Sequence, residues 1–176
     1  MLVKKYFVAI VIPEPGFSRI EHLKQSLYTQ HGLKGALRSP AHITLHRPFE
    51  WRESKEGSLI DCLSQFEYEK NFSLQLQNFA FFEPRVVYID VLPNTCLVEL
   101  HDRLSRFVRR ELKLYNESED MRGFHPHVTV AFRDLKKPLF YDLKRTFTNQ
   151  TFSFDFSEVR MALLKLDKTW QVIHLF

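Results

Sequence analysis

One four-residue pattern occurs twice in this chain. His42-Ile43-Thr44-Leu45 is followed, 85 residues later, by His127-Val128-Thr129-Val130. Each copy is His, apolar, Thr, apolar. In an extended strand successive side chains point to opposite faces, so His42 and Thr44 share one face while Ile43 and Leu45 take the other. His127 and Thr129 stand in the same relation to Val128 and Val130. The apolar pair can anchor a strand in the core, and the polar pair must face a cleft or water, because a buried imidazole or hydroxyl needs partners. Two imidazoles on either side of a scissile P–O bond can serve as base and acid, since an ordinary pKa of about 6.5 lets one be neutral and the other charged. Threonine hydroxyls can donate hydrogen bonds to phosphoryl oxygens. This chemistry cleaves a phosphoester without a metal. Acid–base assistance supplies roughly 10²–10⁴-fold, and positioning and charge stabilisation supply the remainder. A single HxT in a β-rich protein is most often structural. Two copies, each in a strand and half a chain apart, favour the functional reading.

Further polar residues surround the motifs. His46 lies two residues beyond Thr44, on the same face if the strand continues, and His125 lies two before His127. Either can line a groove or sit on its rim. Together His42, His46, His125 and His127 offer imidazoles to a metal, but no Cys or carboxylate at a familiar spacing completes such a site. Phe49, Trp51 and Arg52 could stack a base near the groove mouth or cover a lobe edge, and the edge role is the more natural. Arg85 and Tyr88, around a strand start, could reach a phosphate. His31, on a helix stripe, and His174, in the last strand, are expected to be structural.

The elements that must position these groups follow from hydrophobic periodicity. A first strand covers Tyr6 to Ile12. A helix follows, opened by a capping-box pattern at Ser18-Arg-Ile-Glu21, with Ile20, Leu23, Leu27 and His31 inward and a stop at Gly32. The first motif strand, from Pro40, is expected to end before Pro48. A second helix covers about Ser58 to Phe66. Phe72, Leu74 and Leu76 alternate with polar residues and lead into Phe79 to Phe82. A turn at Glu83-Pro84 precedes the strand Val86 to Val91. A third helix, about Thr95 to Leu114, buries Leu97, Leu100, Leu104, Phe107 and Leu112. It carries a basic stripe at Arg103, Arg106, Arg110 and Lys113, most simply a solvated face. After the polar loop Asn116 to Asp120, the second motif strand is expected over Gly123 to Phe132. Pro138 opens a short helix with Leu139, Leu143 and Phe147 inward. The tail reads as strands: Phe152, Phe154 and Phe156, then Val159, Met161 and Leu163, then a hairpin from Trp170 to Phe176.

No boundary divides this chain of 176 residues, so residues 1–176 are expected to form a single domain. Antiparallel-looking strands with a few covering helices make it α+β. The similar patterns of the two halves suggest an internal duplication. The 44% hydrophobic and 26% charged content excludes a disordered chain or a rod. A net charge of +4 suits an anionic substrate, including RNA, without requiring one. Cys62 and Cys96 make neither a disulfide framework nor a metal site, which fits a reducing, cytoplasmic setting. The apolar run after Lys5 ends at Pro13, too short for a membrane span, so no membrane association is expected.

The motifs His42-Ile-Thr44-Leu45 and Phe124-His-Pro-His127-Val-Thr129-Val130, with the opening strand Phe7-Val-Ala-Ile10 and the closing hairpin, resemble the 2H phosphoesterase superfamily. That superfamily comprises the 2′-5′ RNA ligase-like and 2′,3′-cyclic phosphodiesterase proteins. The resemblance covers essentially the whole chain. It implies a bilobal fold, two antiparallel β-sheets related by a pseudo-twofold around a central groove, with helices outside. It implies His42 and His127 as the catalytic acid–base pair, Thr44 and Thr129 as phosphate ligands, and no metal or other cofactor. The implied substrate is RNA or a nucleotide bearing a 2′,3′-cyclic phosphate or a 2′-5′ linkage, with reverse ligation in some members. A monomer is expected, because the groove lies within one chain. The alternatives are an RNA- or nucleotide-binding module of the same fold without turnover, a metal-dependent hydrolase, and a protein-interaction domain in which the motifs are coincidental.

Overall fold

A computed structural model describes residues 2–115 and 123–176. The polar loop Asn116 to Asp120 lies outside the described residues. Twelve elements follow in the order β1 (Val3–Val11), α1 (Gly16–His31), β2 (His42–Arg52), α2 (Glu56–Leu63), β3 (Asn71–Phe82), β4 (Val86–Val91), α3 (Thr95–Leu112), β5 (His127–Ala131), α4 (Lys137–Thr148), β6 (Ser153–Glu158), β7 (Met161–Leu166) and β8 (Trp170–Leu175). The strands form two four-stranded antiparallel sheets, one ordered β2-β1-β7-β8 and the other β5-β4-β3-β6.

The α+β class and the succession of elements are as the sequence predicts. The lobes, however, are not the two halves of the chain. The first sheet takes its strands from both ends of the sequence, and the second takes the middle four. What repeats is the edge of each sheet. β1 and β2 pair with α1 between them, and β4 and β5 pair with α3 between them, so each motif strand is an edge strand. The two edges adjoin: β2 contacts β5, α1 packs against β5, and α3 packs against β2.

One large hydrophobic cluster draws on both sheets and on all four helices, including Ile10, Ile20, Leu63, Leu76, Ile89, Leu104, Phe140 and Leu163. A smaller one, of Phe7, Ala9, Ala162 and Leu164 with Val11 and Trp170 against it, occupies the other face of the first sheet. That sheet is therefore covered on both faces, which is why β1 and β7 read as nearly continuous apolar runs instead of alternating ones.

Several boundaries differ from expectation for physical reasons. β2 runs through Pro48 to Arg52. Between the pairs Tyr6↔Phe49 and Val8↔His46, Arg47 and Pro48 together face Phe7, so the proline sits in a bulge on an edge strand and costs no ladder hydrogen bond. β5 begins only at His127, because Pro126 has no N–H to give to the ladder. Ser18 does not open a capping box. α1 starts at Gly16, the Ser18 hydroxyl and N–H both donate to Glu14, and Glu21 is turned to other partners. His31 is exposed, because the last turn of α1 runs into solvent before Gly32 ends it in a left-handed cap. α2 is shifted upstream, to Glu56–Leu63, and Phe66 is buried from the coil that follows. In α4 the central anchor is Phe140, fully buried beside Leu143 and Phe147, and Leu139 is only partly covered. The phase change in β3 falls at Asn78, which adopts φ 58° at a bulge and is tied to Phe152 by two hydrogen bonds.

Candidate active site

The two motif strands present their polar residues by one device used twice. In the first sheet Val11 faces His42 and Ala9 faces Thr44 across the β1–β2 ladder, so both motif residues stand on the face of the smaller apolar cluster. In the second sheet Asp90 faces His127 and Tyr88 faces Thr129. Immediately after each threonine the ladder slips by one residue. Leu45 is the extra residue in β2, and Val130 is the extra residue in β5. The bulge turns the following position back toward the main core, which holds Leu45 in one lobe and both Val130 and Ala131 in the other.

This slip decides the fate of His46. It does not share the face of Thr44, as simple alternation predicts. It pairs opposite Val8, is completely buried, and lies edge-on to Phe49 at 5.6 Å. The four motif-region histidines therefore do not form one metal site. Among the described residues no group of three or more His, Cys, Asp or Glu side chains is placed to hold a metal ion.

Both motif histidines are oriented alike. His42 Nδ1 lies 2.6 Å from the Pro40 carbonyl and His127 Nδ1 lies 2.7 Å from the His125 carbonyl, each two residues upstream. A carbonyl oxygen only accepts, so each Nδ1 carries the proton and, in the neutral ring, Nε2 keeps its lone pair. Burial pushes His42 down to about 4; the hydrogen bond to Pro40 opposes this, and the charges of Lys24 and His127 add to it. Burial also lowers His127, opposed by its bond to the His125 carbonyl; the His125 charge lowers it further and the Asp90 carboxylate raises it. The charge of His127 thus reaches His42 across the lobes.

Behind His42 stands Lys24, only 1% exposed. Its ammonium donates to Glu21 Oε1 at 2.8 Å and to the Ser39 carbonyl at 2.9 Å, and the same Glu21 oxygen accepts the Ala41 N–H at 2.8 Å. This network fixes the segment that supplies the Pro40 carbonyl. In the other lobe Phe82 and Tyr88 each pack 5.1 Å from the His127 ring. The Tyr88 hydroxyl lies 3.1 Å from His125 Nε2, and Asp90 lies 3.6 Å from the same nitrogen.

Thr44, His127 and Thr129 line one open cleft of about 1200 Å³. His42 is not among the residues that line it; it sits on the same strand face as Thr44, its ring 4.9 Å from that of Phe7. His125 and Phe124 line the cleft, and so do Arg47, Phe82 and the α3 residues His101, Asp102, Ser105, Arg106 and Arg109. Phe49 and Trp51 do not. Phe49 is buried against Tyr6, and the Trp51 indole donates to the Lys55 carbonyl, so they cover a lobe edge. Arg85 lies in the turn before β4, its N–H donating to the Phe82 carbonyl, and is not on the cleft wall. The predicted basic stripe of α3 divides. Arg106 faces the cleft, whereas Arg103 donates to the Glu67 carbonyl, Arg110 pairs with Glu111, and Lys113 caps the helix. Arg109, absent from the predicted stripe, is the second α3 arginine on the cleft wall. Lys24, Asp90 and Phe82 went unrecognised in the sequence because only folding brings them to the motifs. His174 packs on Phe176 at the closing strand, away from the cleft.

Comparison with known proteins bears on the family and the fold. Residues 12–170 match the family model of the 2′-5′ RNA ligase superfamily. A protein of Geobacillus sp. (strain WCH70) that carries the name phosphoesterase is 31% identical over 142 residues, 78% of each chain. In fold, this chain is similar to TT0787 of Thermus thermophilus, with a TM-score of 0.69 at 19% identity over 98% of this chain and 96% of that one. It is also similar to E. coli LigT complexed with 3′-AMP, with a TM-score of 0.64 at 19% identity over 100% and 98%. No helix among the described residues is long and apolar enough to cross a membrane. By its family match, its Geobacillus relative and its two-sheet fold, this chain belongs to the 2′-5′ RNA ligase superfamily, a group of 2H phosphoesterases.

Proposed function

We propose that this protein is a metal-independent phosphodiesterase acting on 2′,3′-cyclic phosphate or 2′-5′-linked ends of RNA or nucleotides, with His42 and His127 as its acid–base pair. The observation that carries this reading is the matched presentation of two Nδ1-anchored imidazoles, each with a threonine on its own strand face, on the adjoining edges of two sheets. Structures of LigT with 3′-AMP, ATP and NADP+ make nucleotides the natural ligand class.

The surroundings differ enough to divide the roles. Lys24 behind His42 disfavours a proton there, and Asp90 opposite His127 favours one. His42 Nε2 takes a proton from water as the water oxygen bonds to phosphorus. The bond from phosphorus to one ribose oxygen breaks, and His127, entering the step as the imidazolium, gives that oxygen its Nε2 proton. Thr44 and Thr129 donate to the non-bridging oxygens, whose charge grows in the transition state. Exchange with solvent restores both rings. With a ribose 5′-hydroxyl in place of water, the same step breaks the bond from phosphorus to the 3′-oxygen, which takes the proton, and a 2′-5′ junction forms.

The test is hydrolysis of the four 2′,3′-cyclic mononucleotides in EDTA. Wild type is expected to turn over. His42→Ala and His127→Ala are each expected to lose about 10²–10⁴-fold in kcat/KM while remaining folded by circular dichroism. Turnover that vanishes with chelation, or that survives both substitutions, defeats the proposal. Binding without turnover in the wild type supports a binding module instead.

A further inference from the structure

The frame of the cleft is pseudo-symmetric but its walls are not. α1 and α3 occupy corresponding places, each between paired edge strands and each packed on the opposite motif strand. Only α3 contributes side chains to the cleft wall. Those residues fall at 101, 102, 105, 106 and 109, the three- and four-residue spacing of a single helix face. Two of them are arginines, Arg106 and Arg109, and the one carboxylate among them, Asp102, is 3.1 Å from His101 Nδ1. Between them Ser105 has its hydroxyl buried with no hydrogen-bond partner among the described residues. On the same wall the rings of His101 and Phe124 stack at 3.8 Å and 8°. That is a flat surface of the kind on which bases lie. The cleft volume, about 1200 Å³, exceeds the roughly 300–1,000 Å³ of a pocket for one small ligand.

The motif residues account for one phosphate, and the α3 wall offers donors for another. We propose that Arg106 and Arg109 hold an internucleotide phosphate upstream of the reacting end, so that the cleft prefers a single strand of RNA to an isolated nucleotide. This rests on the reading of the motif residues as the reacting centre, and it gives that centre a direction, with the strand leaving along α3.

The test separates the two readings by measuring binding as well as turnover. Fluorescence anisotropy follows a labelled tetraribonucleotide ending in an unreactive 3′-phosphate, against nucleoside 3′-monophosphate and 3′,5′-bisphosphate as competitors. The tetramer is expected to bind at least tenfold more tightly than either competitor. Arg106→Ala/Arg109→Ala is expected to abolish that advantage and to flatten the dependence of log Kd on log salt by about one. The same variant is expected to lose about tenfold more in kcat/KM on a tetramer with a 2′,3′-cyclic end than on 2′,3′-cyclic mononucleotides. Equal affinity for bisphosphate and tetramer, or an arginine-independent advantage, overturns the proposal. If neither cyclic substrate reacts in the wild type, the catalytic reading fails, and the binding comparison still decides the α3 wall.

Discussion

At the scale of single residues, each histidine is controlled from two places in sequence. The local one is a carbonyl two residues upstream, which fixes the tautomer. The distant one is a charge that folding brings near, Lys24 for His42 and Asp90 for His127. The Lys24–Glu21 pair is unequal in burial, with side chains 1% and 27% exposed. Removing the lysine leaves Glu21 with the Ala41 N–H and some solvent. Neutralising Glu21 strands a buried ammonium without its counter-charge, and breaking such a pair costs about 3–5 kcal/mol. Urea denaturation is therefore expected to rank Glu21→Gln as the more damaging change, with Lys24→Met milder. Lys24→Met is also expected to move the acid limb of the kcat/KM–pH profile upward, because His42 loses a positive neighbour. A purely structural lysine would leave that limb in place. The motif histidines and threonines were legible in the sequence because their pattern is local and repeated. Lys24 is hidden inside an amphipathic stripe as an ordinary polar residue, and His46 departs from simple alternation because of a bulge that alternation does not reveal.

At the scale of elements, the segments flanking the motif strands are bound to each other. The N–H groups of Lys34 and Gly35, ahead of β2, both donate to the carboxylate of Asp134, just beyond β5, at 2.6–3.2 Å. A Cβ on Gly35 would lie 2.3 Å from the Phe132 carbonyl oxygen, so glycine is required by close approach of backbone to backbone. This junction ties the entry of one motif strand to the exit of the other, and so helps set the spacing of His42 and His127. Gly35→Ala is expected to cost about 1–3 kcal/mol by overpacking. Asp134→Ala should cost a similar amount by freeing two N–H groups. In both variants kcat/KM on a cyclic nucleotide should fall further than stability alone explains, since small displacements between reacting groups are costly. Chemical denaturation and kinetics on the same samples check this. Helix existence, strand existence and order were readable from periodicity. Boundaries failed where a proline changed the ladder, as at Pro48 and Pro126, because those outcomes depend on which strand lies alongside.

At the scale of the molecule, closing the first sheet with strands from both termini buries the two motif edges against each other, and that burial carries a pH signature. His42 ionises at about 4 in the folded protein and near the ordinary 6.5 when unfolded. Between those values the unfolded chain binds more protons, so stability falls as pH drops from 6.5 toward 4 and is unaffected by this group below. His127 is lowered too and acts in the same direction. For His42 alone the difference is on the order of 3 kcal/mol at full protonation. Carboxylates with lowered values, such as Glu56 and Asp167, lose their contributions only in the more acidic range beneath 4.5. The two windows are therefore separable. Thermal denaturation followed from pH 7 to pH 4 is expected to show a decline beginning above pH 5 in the wild type. In His42→Gln/His127→Gln that upper part should flatten while the lower part persists. A decline of unchanged slope in the double variant would mean that the fold does not hold the two imidazoles back from protonation, and the adjoining sheet edges would have to be open.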